Sequence, residues 1–451
     1  MTATEILIII AQFVLSLSLL IILHEAGHMI PARLFKMRVE KFFLFFDVKF
    51  ALLKKKVGET VYGIGWLPLG GYVKISGMID ESMDKEQMAQ PPQPWEFRSK
   101  PAWQRLIVML GGVIVNFVLA WLIYVGMMFT WGEQILTSED AGKALQVSEF
   151  MTEKTGLQTG DKVLAIDGEA YETFDETLQN ILFAQTIDVE RNGSKLTLDI
   201  PTDFVGQLVD ANDSLRPIGM RRPYLIAEVP DTSHNKNSGL QKNDIILDVD
   251  DKGFRYYDEI NSYILAQKND TLSATVLRDG AQQPITLFTN DAGKLGVVIT
   301  GAKLEDLGRL GFFNLSIKEY SFGESFGAGS RKFVDQFKSF GKQLKLIVTP
   351  STGAYKGVGS FISIAKIFPT TWNWQIFWKI TAFLSIMLGV LNLLPIPALD
   401  GGHAMFLVYE MIAGKKPGDK FMEYAQVVGF IFLIALFVFA FGNDIYRHFI
   451  K

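Results

Sequence analysis

The chain has 451 residues, of which 49% are hydrophobic and 20% are charged, and its formal net charge is −4. A mean hydropathy of +0.20 is high for a soluble protein and low for a bundle of membrane helices alone, so we expect a membrane part joined to soluble domains. The small negative charge argues against a nucleic-acid partner, and the absence of cysteine excludes disulfides and thiolate metal ligands.

Four apolar stretches are long enough, or nearly so, to span a bilayer. They run over about residues 6–35, 106–131, 377–394 and 427–441. The first lacks the basic start and the cleavage site of a signal peptide, so we expect it to remain in the protein. Lysines and arginines crowd the connection after the first stretch and recur after the third. Both connections are therefore predicted to be cytoplasmic, with the termini and the long middle section on the outer side.

The first apolar stretch ends in His24-Glu25-Ala26-Gly27-His28, an H-E-x-x-H motif. On a helix the two histidines project from one face, as ligands of one zinc ion must, and Glu25 can take a proton from water there. Ionisable side chains at membrane depth are costly unless they serve a function. The alternative is a helix end that reaches polar headgroups. The motif follows about 18 apolar residues, roughly 27 Å of helix, so we expect the chemistry near the cytoplasmic face.

Residues of about 42–76 alternate partly between apolar and polar side chains and include several glycines, which predicts a hairpin or curved sheet. Non-helical backbone at membrane depth persists only against protein or water. We therefore predict a re-entrant β-element beside the metal, with a small cytoplasmic sheet as the alternative. The polar, proline-rich residues 80–100 are expected to form a loop.

The soluble middle section contains an internal repeat. Residues 155–168 align with residues 238–251, and each copy continues to an Arg-x-Gly turn, at Arg191 and at Arg278. The section is therefore expected to hold two copies of one β-rich module.

Each copy resembles a bacterial PDZ domain in its small-Gly-Leu-x-x-x-Asp pattern, and we place the two modules at residues 132–220 and 221–305. The resemblance implies a groove that takes an extended peptide as an added strand. The alternative is a pair that binds nothing and covers the membrane part. The residues assigned to the grooves are Gly156, Leu157, Gly239 and Leu240.

Within residues 306–375, phenylalanines recur at nearly helical spacing between positions 319 and 348, and basic residues occupy the other positions. This pattern predicts an amphipathic helix. We expect the helix to lie on the outer leaflet or on the second module. Residues 376–451 then hold the last two spans.

A zinc site needs a third protein ligand, with one position left open for water. His234 lies in the second module and His448 at the outer terminus, so neither is expected to reach the first pair. Asp400 follows the third apolar stretch and a Pro-x-Pro break, at the expected depth of the pair. A carboxylate there needs a partner such as a metal. We therefore favour Asp400 as the third ligand, with His403 as its rival.

The H-E-x-x-H motif, together with Asn392-x-x-Pro-x-Pro-x-x-Asp400-Gly in a later span, resembles the site-2 protease family of intramembrane zinc metalloproteases. The resemblance covers essentially the whole chain, and it includes two PDZ-like modules between the second and third spans. It implies that His24, His28 and Asp400 hold Zn²⁺ and that Glu25 is the catalytic base.

The same resemblance implies further site residues. The second span carries Gly112-Val113-Ile114-Val115-Asn116 where the family has Gly-Pro-x-x-Asn, so the local kink that proline would supply is in question. The residues implied to contact substrate are Asn116, Asn392, Gly70, Gly71 and Tyr72.

The implied function is hydrolysis of a peptide bond inside the transmembrane segment of a single-span protein, such as an anti-sigma factor trimmed by a first protease, or of a remnant signal peptide. The PDZ-like pair would then filter substrates by size. The implied setting is regulated intramembrane proteolysis, a stress response, in a bacterial inner membrane with both termini periplasmic. The competing hypotheses are a non-enzymatic PDZ membrane scaffold or quality-control adaptor, and a metal transporter, which a single closed metal site disfavours.

Overall fold

The structure is a computed structural model, and it describes residues 2–78, 90–136, 140, 144–171, 173–211, 217–301, 307–308 and 310–447. Part of the predicted loop at 80–100 and His448 lie outside these residues. The chain forms two compact units. The helical unit comprises Met1–Gly132, Glu319–Lys345 and Lys356–Lys451, and the β-rich unit comprises Glu133–Lys318 and Leu346–Tyr355.

The described elements are numbered in chain order. The α-helices are α1 (Ala3–Leu34), α2 (Ala102–Trp131), α3 (Glu149–Thr155), α4 (Phe174–Ile181), α5 (Phe204–Ala211), α6 (Tyr257–Ala266), α7 (Phe322–Ile347), α8 (Phe361–Ala365), α9 (Trp374–Leu393), α10 (Asp400–Ala413) and α11 (Asp419–Ile445). The strands are β1 (Val39–Leu44), β2 (Phe46–Val57), β3 (Thr60–Leu67), β4 (Tyr72–Ile75), β5 (Glu133–Leu136), β6 (Leu145–Val147), β7 (Lys162–Ile166), β8 (Thr186–Arg191), β9 (Ser194–Asp199), β10 (Ile218–Met220), β11 (Tyr224–Glu228), β12 (Ile245–Val249), β13 (Thr271–Arg278), β14 (Ala281–Phe288), β15 (Val298–Thr300) and β16 (Leu315–Lys318).

The four predicted spans are confirmed as α1, α2, α9 and α11, which are long and apolar enough to cross a membrane. The first begins with a capping box, in which the Thr2 hydroxyl accepts the amide of Glu5 at 3.3 Å and the Glu5 carboxylate accepts the amide of Thr2 at 2.7 Å. The third ends at Leu393, two residues before Pro395, because a residue that precedes proline disfavours the helical conformation. The chain then turns and starts α10 at Asp400.

The predicted β-element is a four-stranded sheet in the order β2-β3-β1-β4. Strand β1 pairs with β3 in parallel and with β4 antiparallel, so β2 and β4 form the two edges. A Cβ added to Gly71 would lie 2.5 Å from Cγ2 of Ile21. The sheet therefore rests directly on α1, at the level of the turn that precedes the H-E-x-x-H motif.

The two copies of the repeat in the β-rich unit fold alike. The first forms a three-stranded sheet β7-β8-β9, and the second forms a five-stranded sheet β14-β13-β12-β11-β15. In the first copy Arg191 donates to both carboxylate oxygens of Asp161, at 2.7 and 2.6 Å, and to the carbonyl of Gly156 at 2.7 Å. In the second copy Arg278 donates to both oxygens of Asp244 at the same distances of 2.7 and 2.6 Å. The repeated sequence thus encodes a repeated ion pair, and the PDZ assignment itself stays a prediction.

The four residues assigned to the grooves lie at a turn beside the core of each copy. Leu157 is fully buried and Leu240 is 4% exposed, and both side chains belong to the hydrophobic cores. Gly156 and Gly239 have φ of +76° and +87°, and their carbonyls accept the arginine bonds of the repeat. The leucine side chains are therefore committed to the cores, and the grooves themselves stay a prediction.

The predicted amphipathic helix is α7, and it packs on the second span. The indole Nε1 of Trp121 in α2 donates to the hydroxyl of Ser330 at 2.9 Å. A Cβ on Gly329 would lie 2.6 Å from the Cα of Val125. Small residues at 329 and 330 allow α7 to lie directly on the second span, a contact that the sequence did not indicate, and its placement on the outer leaflet or the second module stays a prediction.

Candidate metal centre

Three side chains from distant segments meet inside the helical unit. Nε2 of His24 and Nε2 of His28 are 3.3 Å apart, and Oδ2 of Asp400 lies 3.3 and 3.4 Å from them. A tetrahedral ion with bonds of about 2.0–2.1 Å, as zinc has to nitrogen and oxygen, separates its ligands by about 3.3 Å. The three atoms therefore occupy three corners of such a tetrahedron and leave the fourth for water or substrate.

The chemistry of these atoms fits a divalent cation. Oδ2 of Asp400 is buried and has no hydrogen-bond donor. A buried carboxylate oxygen without a partner is costly, and a metal ion removes that cost. Two imidazole nitrogens and one carboxylate form a ligand set that zinc accepts. Among the described residues this is the group of three or more potential ligands that converges closely enough to hold a metal.

The second span orients both imidazoles. Nδ1 of His28 lies 2.8 Å from the carbonyl oxygen of Val108. Since a carbonyl only accepts, Nδ1 carries the proton and the lone pair of Nε2 faces the cluster. Nδ1 of His24 lies 3.0 Å from the side-chain amide of Asn116. For Nε2 of His24 to bind a metal, Nδ1 must again donate, so Asn116 must present its Oδ1 to the ring.

Asn116 lies beside the first histidine. Its side chain is fully buried, and its amide contacts His24. The contact gives Asn116 a role in orienting the ring, and its contact with substrate stays a prediction. The second span is one continuous α-helix through Val113.

Glycines let the two helices cross at the metal site. A Cβ on Gly112 would overlap Nε2 of His28 and would lie 2.6 Å from Cε1 of His24. In α1, directly before His28, a Cβ on Gly27 would overlap the carbonyl of Gly111 in α2. Because these positions lack side chains, the backbones touch and the imidazole rings pack against the bare helix.

Glu25 lies between the cluster and the sheet. It follows His24 in α1, three residues before His28, so its carboxylate is carried by the same helical turn as the two imidazoles. A Cβ on Gly71 would stand 3.5 Å from Cγ of Glu25. The edge strand β4 thus runs beside the carboxylate that follows the first histidine.

The predicted residues Gly70 and Tyr72 shape this edge. Gly70 has φ of +155°, which side chains rarely adopt. The Tyr72 hydroxyl donates to Oδ1 of Asp47 at 2.9 Å, and its ring stacks on Phe43 at 5.3 Å. The Tyr72 side chain is therefore committed to the sheet, and its backbone belongs to the edge.

Asn392 contacts the cluster, whereas His403 contacts another helix. Nδ2 of Asn392 is 3.3 Å from Nε2 of His24, at the end of α9, and the side chain is partly buried. Nε2 of His403 is 3.2 Å from the side-chain amide nitrogen of Gln426 in α11. His403 is not part of the cluster. The arrangement favours Asp400 over His403 as the third ligand.

Two features of the segment that carries Asp400 were missed from the sequence. Cβ atoms on Gly401 and Gly402 would overlap backbone carbonyls of residues 393 and 396, so both glycines are needed for the tight turn into α10. Arg105 in α2 donates to Glu410 in α10 at 2.5 Å, and both side chains are largely buried. A basic residue before a span and an acid in a short helix form no motif, so only their proximity identifies the pair.

Comparison with known proteins gives a consistent result. The family model of Peptidase family M50 matches residues 12–436, which include the whole cluster. The chain is 27% identical to the regulator of sigma-E protease RseP of Escherichia coli K12, with 97% of this chain and 98% of that protein covered. It is 28% identical, with the same coverage, to the regulator of sigma E protease of Haemophilus influenzae.

Proposed function

The chain belongs to peptidase family M50, the site-2 proteases, and is an intramembrane zinc metalloprotease; on this premise we propose that His24, His28 and Asp400 hold the zinc ion and that Glu25 is the catalytic base. The observation that carries the proposal is the spacing of the three ligand atoms, 3.3 to 3.4 Å, with a free corner. The complete ligand set, with Glu25 beside it, gives no support to a non-enzymatic scaffold.

When bound, zinc polarises the scissile carbonyl and lowers the pKa of water toward about 7. The Glu25 carboxylate takes a proton from the attacking water as the new C–O bond forms. It then gives that proton to the amine nitrogen as the C–N bond breaks, so the carboxylate is regenerated. The amide of Asn392, 3.3 Å from the ring nitrogen of His24, would donate to the carbonyl oxygen as negative charge develops there.

The substrate must be extended before it is cut. A transmembrane helix keeps its carbonyls in backbone hydrogen bonds, and an unwound segment within lipid needs another partner for them. The free edge of β4 lies next to Glu25 and pairs on its other side with β1. An unwound segment added to β4 would satisfy its backbone groups and present a peptide bond to the open corner. Gly70, Gly71 and Tyr72 belong to this edge.

The substrate class follows from the relatives. Two of them are named as regulators of sigma-E, which supports a single-span anti-sigma factor as substrate, in a bacterial inner membrane; remnant signal peptides share the same chemistry. The excess of basic residues between the first two spans supports periplasmic termini and a periplasmic β-rich unit. The two repeated modules would then act as PDZ-like filters that exclude bulky outer domains.

The catalytic assignment is tested with Glu25→Gln. The variant should bind zinc as the natural chain does and should fail to cleave a single-span model substrate, because the amide cannot take the proton. Glu153→Gln, a change at a side chain that is 69% exposed, is the matched control and should cleave normally. Cleavage at the natural rate by Glu25→Gln would end the proposed mechanism.

The filter is tested separately by deleting residues 133–318. The shortened chain should cleave a substrate that still carries its bulky outer domain, which the full chain should leave intact. If the deletion instead lowers cleavage of the trimmed substrate and does not admit the untrimmed one, the modules recruit substrates and do not filter them.

A further inference from the structure

The outer edge strand β2 carries an apolar stretch that is followed directly by three lysines. Val48, Phe50, Leu52 and Leu53 are 51 to 67% exposed. Residues 54–56, all lysine, come next and are also exposed. An edge strand with this much exposed apolar surface would promote aggregation in water. In a membrane protein the same surface is covered when it lies in lipid.

The contacts of the sheet with α1 give the position of this strand along the helix. At one end of the sheet, Gly71 lies against Ile21. At the other end, Nη2 of Arg33 donates to the hydroxyl of Tyr62 at 2.6 Å, and Tyr62 is the register partner of Lys55. From Ile21 to Arg33 the helix advances about 18 Å, close to the hydrocarbon thickness of one leaflet, about 15 Å. The lysines thus lie at the level of the basic last turn of α1, about 18 Å along the helix from Ile21 on the side that the sequence predicts to be cytoplasmic.

The lysine run has no acidic partner in the described part of the chain. Its three residues take part in none of the ion pairs found among the described side chains. The acid in the adjoining hairpin turn, Glu59, is 71% exposed and lies 4.0 Å from Arg38, which is itself basic. The surface at this end of the strand is therefore cationic, and it adjoins an apolar one.

We propose that residues 54–56 bind the phosphate groups of anionic lipids, while the exposed apolar side chains of residues 48–53 contact the upper acyl chains of the same leaflet and the backbone of the β2 edge stays in the hydrated interface, where water pairs its polar groups. Charge complementarity selects anionic over zwitterionic headgroups, and the apolar stretch selects a lipid over a soluble anion. The contact fixes the depth of the sheet, and with it the depth of the β4 edge beside Glu25. The inference depends on the membrane placement of the helical unit and not on the peptidase mechanism.

The absence of cysteine from the chain makes a direct test possible. Val57→Cys, at a side chain that is 55% exposed, carries a fluorophore in nanodiscs of phosphatidylcholine. The nanodiscs contain either phosphatidylglycerol or phosphatidylcholine that bears a nitroxide high on the acyl chain. The quenching of the fluorophore by the two labelled lipids is then compared. Because a basic residue near an anionic surface contributes about 1 kcal/mol, or about fivefold per lysine, phosphatidylglycerol should be enriched at least about fivefold. At about 1 M salt, where the Debye length is about 3 Å, the enrichment should disappear.

Three variants in the same background decide the result. K54Q/K55Q/K56Q should lose the enrichment, and K54R/K55R/K56R should retain it. K236Q/K242Q/K252Q, which removes three exposed lysines of the β-rich unit, should also retain it. Equal quenching by both lipids, enrichment that survives the glutamine triple, or a loss in the β-rich control would each overturn the proposal. Zinc content and cleavage in detergent should not change in the glutamine triple, so a failure of the catalytic mechanism remains distinguishable.

Discussion

Replacing Gly112 by alanine tests the geometry of the metal centre most directly. The added Cβ would overlap Nε2 of His28 and lie 2.6 Å from Cε1 of His24, whereas non-bonded heavy atoms prefer about 3.5–4.0 Å. The rings must therefore move by roughly 1 Å, about half the length of a zinc–nitrogen bond. Neither ring can retreat freely, because Val108 and Asn116 hold their Nδ1 atoms.

The expected loss is in zinc affinity, with little change in folding. Changes in the groups that only orient metal ligands cost about 10–100-fold in affinity, and displacing two ligands should reach at least the upper end, about 100-fold. Alanine in a helix interior gains about 1 kcal/mol over glycine, while overpacking costs about 1–3 kcal/mol. The free energy of unfolding should thus change by no more than about 2 kcal/mol.

The assay is zinc content after purification, followed by competition with a chelator of known affinity. Gly126→Ala is the matched control, because it lies in the same helix and its Cβ would meet nothing within 4 Å. The control should bind zinc and cleave substrate as the natural chain does. Natural zinc affinity in Gly112→Ala would refute the crossing of the two helices against the imidazoles.

Other predictions concern single side chains. Asn116→Leu should weaken zinc binding about 10–100-fold, while Asn116→Asp, which still accepts from His24, should bind within a few-fold of the natural chain; equal losses would contradict the orienting role. Asp400→Ala should lose zinc and His403→Ala should keep it, and the reverse would identify the wrong ligand. Asp161→Asn should lower the free energy of unfolding of the β-rich unit by about 2–3 kcal/mol, less than for a fully buried pair because its arginine is partly exposed. In urea titrations the exposed control Asp231→Asn should change it by less than about 0.5 kcal/mol, and an equal effect of both would show that the buried pair adds nothing.

The spans and the three clustered side chains could be predicted from sequence because each depends on local information. Membrane thickness sets the length of an apolar helix, so composition alone identified four spans. Two histidines four residues apart share a helix face by the geometry of the helix. Asp400 was placed by depth, since a carboxylate at the end of an apolar stretch needs a partner.

The remaining parts of the site depend on how helices cross, which no local pattern encodes. Gly112 and Asn116 are one helical turn apart, and their contacts with the histidines follow only once α1 and α2 touch. The carbonyl of Val108 is a backbone group, so the identity of its side chain gives no signal. The packing of α7 was missed for the same reason, because an apolar stripe shows that a helix is covered without showing by what.

The sheet has two edges, and each meets a different requirement. One edge must stay open for substrate, and the sheet must also be held at the membrane. A protease that extends its substrate needs an open strand edge at the metal, yet an open edge in lipid leaves backbone groups without partners. Strand β4 limits this cost by being only four residues long, and it starts directly after Gly71, which lies beside Glu25. Strand β2 is twelve residues long and lies at the far side of the sheet. In the hydrated interface water can pair its backbone groups, while its apolar side chains contact acyl chains and its lysines contact headgroups. The long edge can therefore hold the sheet at the membrane while the short one stays free for substrate.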